Sequence, residues 1–105
     1  MEIEVKYQTC NLCDALHNNI NDNFESVSFE ILINGDIQTK IVLTQFTKQE
    51  ESYITDLITE FAALQERDNV LEPIVVIAPS PPLQNVVYQL EPEPRQNYNS
   101  EQDVR

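Results

Sequence analysis

A chain of 105 residues with 18 acids, 6 bases and a formal net charge of −12 has room for one modest core and no second domain. That balance excludes the clustered Lys and Arg that direct binding of nucleic acid or of an anionic membrane surface requires, and it favours a partner with a basic surface. The single glycine and single histidine exclude Gly-rich phosphate cradles, the nucleophile elbow and paired-His metal motifs.

The charge belongs to the body of the chain. Residues 91–105 carry Glu91, Glu93, Glu101 and Asp103 against Arg95 and Arg105, a net of −2, which leaves −10 on residues 1–90. No apolar run approaches the ~18 residues that span a bilayer. Met1-Glu2-Ile3-Glu4-Val5 lacks the basic and apolar regions of a signal peptide, and only two cysteines are present, so the expectation is a cytoplasmic protein.

In chain order, Ile3, Val5 and Tyr7 alternate with Glu4, Lys6 and Gln8, which predicts a half-buried strand over about residues 2–9. Leu12, Ala15, Leu16 and Ile20 have the spacing of a short helical face, although the Asn and Asp residues between 11 and 23 favour caps and turns. Val27, Phe29, Ile31 and Ile33 alternate, Asn34-Gly35 follows, and a second run extends from Ile37 to Phe46; this is the signature of a β-hairpin. Thr47-x-x-Glu50 is a capping box, opening a helix to about Arg67 whose apolar stripe includes Tyr53, Ile54, Leu57, Ile58, Phe61 and Leu64. Ile74-Val75-Val76-Ile77-Ala78 reads as a buried central strand, closed by Pro79, Pro81 and Pro82. Val86, Val87, Tyr88 and Leu90 supply one more short strand. Pro79 to Pro82 has the Pro-x-x-Pro form of a groove ligand, and equally that of a stiff loop ending a strand. From Glu91 onward the polar, Pro-containing composition predicts a disordered tail.

The expected fold is α+β: a small mixed or antiparallel sheet, made of the hairpin plus an N-terminal and a C-terminal strand, with one long amphipathic helix on one face. Residues 1–90 form the single domain and 91–105 the tail.

Chemistry-bearing residues are few. Cys10-x-x-Cys13 suits redox exchange when it opens a helix, and with His17 it makes Cys-x2-Cys-x3-His, three weak candidate zinc ligands without a second pair. The plain alternative is two small structural cysteines and a histidine at a helix exit. Cys13 and His17, four residues apart, lack an orienting partner for nucleophilic catalysis. Glu4-Val5-Lys6 has the Glu-x-Lys form of some metal-dependent nucleases but no upstream acid on an adjoining element. No cofactor is implied and no enzyme is expected.

The acids of the long helix offer the sharper reading. Glu50, Glu51, Asp56, Glu60 and Glu66 would form an acidic face that is either merely solvated or binds a partner by imitating a row of phosphates. In length and acidity the chain resembles phage-encoded inhibitors and nucleic-acid mimics, a likeness of composition that carries no residue over. The expected function is a non-catalytic protein-binding module of the anti-defence or antitoxin type. The alternative is a structural subunit or adaptor that associates through a sheet edge or apolar patch, with homo-oligomerisation among its outcomes.

Overall fold

The computed structural model describes residues 3–90; the predicted tail at 91–105 lies outside the described residues. The order of elements is α1 (Ile3–Leu16), β1 (Phe24–Ile31), β2 (Ile37–Leu43), α2 (Lys48–Ala63), β3 (Ile74–Ile77) and β4 (Asn85–Gln89). Together they make a small α+β domain with a four-stranded mixed sheet of order β3-β2-β1-β4.

The β1–β2 pair is antiparallel, with Ile31 opposite Ile37, and Gly35 turns the chain at φ +90°, a backbone conformation that glycine adopts without steric cost. β4 joins the outer side of β1, also antiparallel, and β3 joins β2 in parallel after the crossover through α2. Successive strand residues point to opposite faces. Val27, Phe29, Ile37, Ile41 and Leu43 accordingly meet Leu12, Ala15 and Leu16 of α1 and Ile54, Leu57 and Phe61 of α2 in one core. The rings of Phe24 and Tyr53 pack edge to face at 6.5 Å, tying the start of β1 to α2.

Two expectations are corrected. Where a strand over residues 2–9 and a short helix after it are expected, Ile3–Leu16 is one continuous helix, α1, and the described residues include no N-terminal strand. The alternation of Ile3 and Tyr7 is incidental, since both are solvent-exposed. The operative spacing is Val5, Gln8, Leu12, Ala15 and Leu16, a helical face in which polar Gln8 and Asn11 are buried. The second correction concerns Ile74–Ala78. This run forms an edge strand, with Ile74 and Ile77 exposed, and lies parallel to β2 rather than at the centre of the sheet.

The proline-containing segment 78–84 is a strap. It connects strands at opposite edges of the sheet, so it crosses β2 and β1, and it does so on the face away from the helices. Lys40 Nζ donates to Pro81 O at 2.6 Å, and Leu83 N donates to Ser28 Oγ at 2.8 Å. Both side chains alternate with core residues, which places them on that far face. Ser26, Ser28 and Val42 are buried there.

Candidate functional site

The first turn of α2 removes one acid from the predicted face. Thr47 is the N-cap, and the capping box forms: Gln49 N donates to Thr47 Oγ1 at 3.2 Å and Thr47 N donates to Glu50 Oε1 at 2.7 Å. The Thr47 hydroxyl also donates to that oxygen. The other oxygen, Oε2, accepts from Asn21 Nδ2 at 2.7 Å and Asn23 Nδ2 at 2.9 Å. Glu50 is therefore fully buried in a network that ties the 21–23 loop to the helix start. The Asn21, Thr47 and Asn23 donors hold its carboxyl down at about 2 from an ordinary 4.5. It serves the fold and is withdrawn from any partner-binding surface.

Glu51, Asp56, Glu60 and Glu66 are exposed. They do not form one row. At ~100° per residue, Asp56 and Glu60 sit on successive turns of one side of α2, whereas Glu51 lies roughly 140° from Asp56. Ser52, Thr55 and Thr59 occupy the surface between them.

Four exposed carboxylates, including Glu60 and Glu66 but neither Glu51 nor Asp56, border the seam between α1 and α2. Asp14 of α1 and Glu60 of α2 flank a shallow groove of about 310 Å³ floored by Ala15, Ala63 and Leu64. At the other end of the seam, Glu4 of α1 and Glu66, just beyond α2, line a cleft of about 370 Å³ together with Tyr7, Gln8, Ile31, Gly35, Gln65, Arg67 and Asn69. The two walls of this cleft are locked by a reciprocal amide pair. Gln8 Nε2 donates to Gln65 Oε1 at 2.9 Å, and Gln65 Nε2 donates to Gln8 Oε1 at 2.8 Å. Gln8 Nε2 also donates to Glu4 Oε2 at 2.8 Å, and Asn11 Nδ2 donates to Gln8 Oε1 at 3.2 Å. These bonds satisfy a glutamine side chain that is only 2% exposed.

Glu4 and Asp14 belong to this constellation and were not singled out from the sequence as partner-binding residues. Reading residues 2–9 as a strand hid their relation to α2. The retrievable signal was the 3–4 spacing of Val5, Gln8 and Leu12, which puts Glu4 and Asp14 at the borders of the buried face.

Among the described residues one ion pair forms, Arg67 Nη1 to Asp36 Oδ1 at 4.0 Å. Arg67 Nη2 also donates to Asn34 O at 3.2 Å, so this guanidinium is drawn to the hairpin turn.

Cys10, Cys13 and His17 lie on one exposed stripe of α1 and the turn after it. Both cysteines are free thiols. They sit in the third and fourth turns of α1, away from the helix N-terminus that would stabilise a thiolate. Burial, with Cys10 and Asp14 nearby, pushes the Cys13 thiol up, opposite to the direction redox exchange requires. Among the described residues no group of three or more His, Cys, Asp or Glu side chains is arranged to hold a metal ion. No described helix is long and apolar enough to cross a membrane.

Compared with models of known protein families and with curated protein sequences, the chain matches none.

Proposed function

We propose that this chain is a non-catalytic acidic module that binds a basic protein surface through the α1–α2 seam. An inhibitor or nucleic-acid mimic acting on a nucleic-acid-binding protein, of the anti-defence or antitoxin type, is its concrete form. The observation that carries this reading is that four exposed carboxylates on or just beyond the two helices, Asp14 with Glu60 and Glu4 with Glu66, line shared grooves, and none of the four is in the one ion pair of the described residues, Arg67 with Asp36. Carboxylates converging from separate elements raise the local negative potential and favour a cationic partner.

The test is capture of partners on the tagged protein from nuclease-treated lysate of its native host, eluted in steps of rising salt. A basic nucleic-acid-binding protein that elutes at moderate salt, and is lost with Asp14→Lys/Glu60→Lys, supports the reading, because exposed charges are screened over ~8–10 Å. Capture that is indifferent to both salt and charge reversal overturns it.

A second reading rests on the sheet edges. β3 and β4 are both edge strands, and Ile74, Ile77, Val86 and Leu90 are exposed on or beside them. A structural subunit or adaptor that adds a strand there would associate through backbone hydrogen bonds and apolar contact, insensitive to salt. Sedimentation of the purified protein at high salt tests the self-association form: a stable oligomer supports it and a monomer at all concentrations removes it.

A further inference from the structure

We infer that Asn34–Gly35, at the tip of the hairpin, is a site of spontaneous covalent modification: Asn34 converts to aspartate and isoaspartate at a rate that Arg67 and Asn69 hold down. This goes beyond the proposed reading of the seam and does not depend on it.

The conversion consumes only water. The Gly35 backbone nitrogen attacks Asn34 Cγ, so that a C–N bond forms and the Cγ–Nδ2 bond breaks. The proton lost from Gly35 N is matched by one gained at Nδ2, which leaves as ammonia. Water then opens the resulting cyclic imide at either of its two carbonyls. One product carries the new carboxylate on its side chain; the other, isoaspartate, carries it on the old backbone carbon and runs the chain through Cβ and Cγ.

Three observations place the reaction here. The chain has one glycine, so Asn34 is its only asparagine followed by a residue without a Cβ to hinder the approach. Asn34 is exposed to the water that the second step needs. Asp36 N donates to Asn34 Oδ1 at 3.0 Å. The ring closed by that bond contains both Asn34 Cγ and Gly35 N, and its N–H is aimed at the oxygen on which negative charge develops during the attack.

The same turn carries its own restraint. Gly35 N donates to Leu32 O at 2.9 Å, which engages the proton that must leave. Arg67 Nη2 donates to Asn34 O and Asn69 Nδ2 to Gly35 O, each at 3.2 Å, so the carbonyls on both sides of the attacking nitrogen are gripped from beyond α2. The Arg67 guanidinium also fills the space into which a Gly35 Cβ would project. Its side chain is 58% exposed and free to swing away. The products disturb the turn in two ways. Asn34 Nδ2, which donates to Asp36 Oδ2 at 3.1 Å, is replaced by a second anion beside that carboxylate. Isoaspartate lengthens the backbone inside a turn that Leu32 N pins to Asp36 O and that sets Ile31 opposite Ile37.

The experiment is incubation of the full chain at neutral pH in ¹⁸O-labelled water, with peptide mapping by mass spectrometry at intervals. The expected result is label entering at Asn34 before any other asparagine of residues 3–90. Arg67→Ala, at an exposed position, should speed the reaction ~10-fold through loss of a charge-assisted hydrogen bond. Unfolding the native sequence in guanidinium chloride should speed it at least as much, and that comparison decides if the variant does not fold. An Asn34 that outlasts the other asparagines overturns the site. Equal rates in the folded chain, in Arg67→Ala and in guanidinium chloride overturn the restraint.

Discussion

The two ends of α2 carry the same kind of residue in opposite circumstances. At the N-terminal end, Glu50 is fully buried and its two oxygens accept from Thr47, Asn21 and Asn23. Toward the other end, Glu60 and Glu66 are exposed, sharing grooves with Asp14 and Glu4, and the one basic side chain there, Arg67, is paired with Asp36 rather than with any of them. A helix start supplies unpaired amide donors and the positive end of a dipole, so an acid placed there is absorbed into the fold. A helix end supplies neither, and acids left near it remain available to a partner. An acidic residue in this chain is therefore interpreted by its position on the helix rather than by the overall charge.

Substitutions at the two ends break or sharpen that contrast. The largest effect is expected at Glu50. Glu50→Ala leaves the Asn21 and Asn23 amides and the Thr47 amide without their acceptor, and it should lower the urea midpoint more than removal of any other carboxylate. The same site sets an acid limb. The unfolded carboxyl titrates at an ordinary 4.5 and the folded one near 2, so its contribution is complete above pH 4.5 and is lost as pH falls from there toward 2. In Glu50→Gln that part of the pH dependence of stability should vanish. An unchanged acid limb would show that the network does not tune this carboxyl.

Next in size is the amide lock at the seam. Gln8→Ala should cost about 1–3 kcal/mol by denaturant unfolding, because it strips Gln65 Oε1 of its donor in a part-buried site and leaves Gln65 Nε2 only the Phe61 carbonyl. A Gln8→Ala/Gln65→Ala cycle should return a coupling of ~1 kcal/mol; strict additivity would mean the two amides do not hold the helices together. Gly35→Ala at the neighbouring turn should cost about 1 kcal/mol, since alanine is strained at φ +90° and its Cβ would meet the Arg67 guanidinium. The smallest stability effect is expected where the functional effect is largest. Asp14→Asn and Glu60→Gln should shift stability by no more than ~0.5 kcal/mol, as exposed, unpaired groups do, while weakening salt-sensitive capture. A substantial loss of stability from either would move the seam to the structural side of the comparison.

The hairpin, the capping box, α2 and the last strand were legible in kind because each rests on local chemistry, a glycine at a turn, Thr47 three residues before Glu50 and runs with a clear period, but their ends were not: β1 stops at Ile31 rather than Ile33, β2 at Leu43 rather than Phe46 and α2 at Ala63 rather than Arg67. α1 was not legible. Its buried face includes Gln8 and Asn11, whose burial depends on Gln65 and on each other, so hydropathy misses two of its five buried residues and Ile3-x-Val5-x-Tyr7 imitates a strand. The Ile74–Ala78 run was legible as a strand but not as an edge. Val75 packs toward Ile54 and Ile58 of α2 while Ile74 and Ile77 stay exposed, a tertiary circumstance that composition does not encode. The acidic residues of α2 were visible, but their sorting into Glu50 against Glu60 and Glu66 required the positions of Asn21, Asn23 and Asp14.

The strap at 78–84 has a mechanical consequence. Successive strands usually lie beside each other, but here the last two occupy opposite rims of the sheet and share one short tether across its back, fastened at Lys40 and Ser28. Tension applied at the C-terminal end of β4 would load its ladder with β1 first, then the fastenings at Ser28 and Lys40, and only then β3. Both fastenings end on the central hairpin, at Ser28 of β1 and Lys40 of β2, which makes the hairpin the anchor that the strap pulls against.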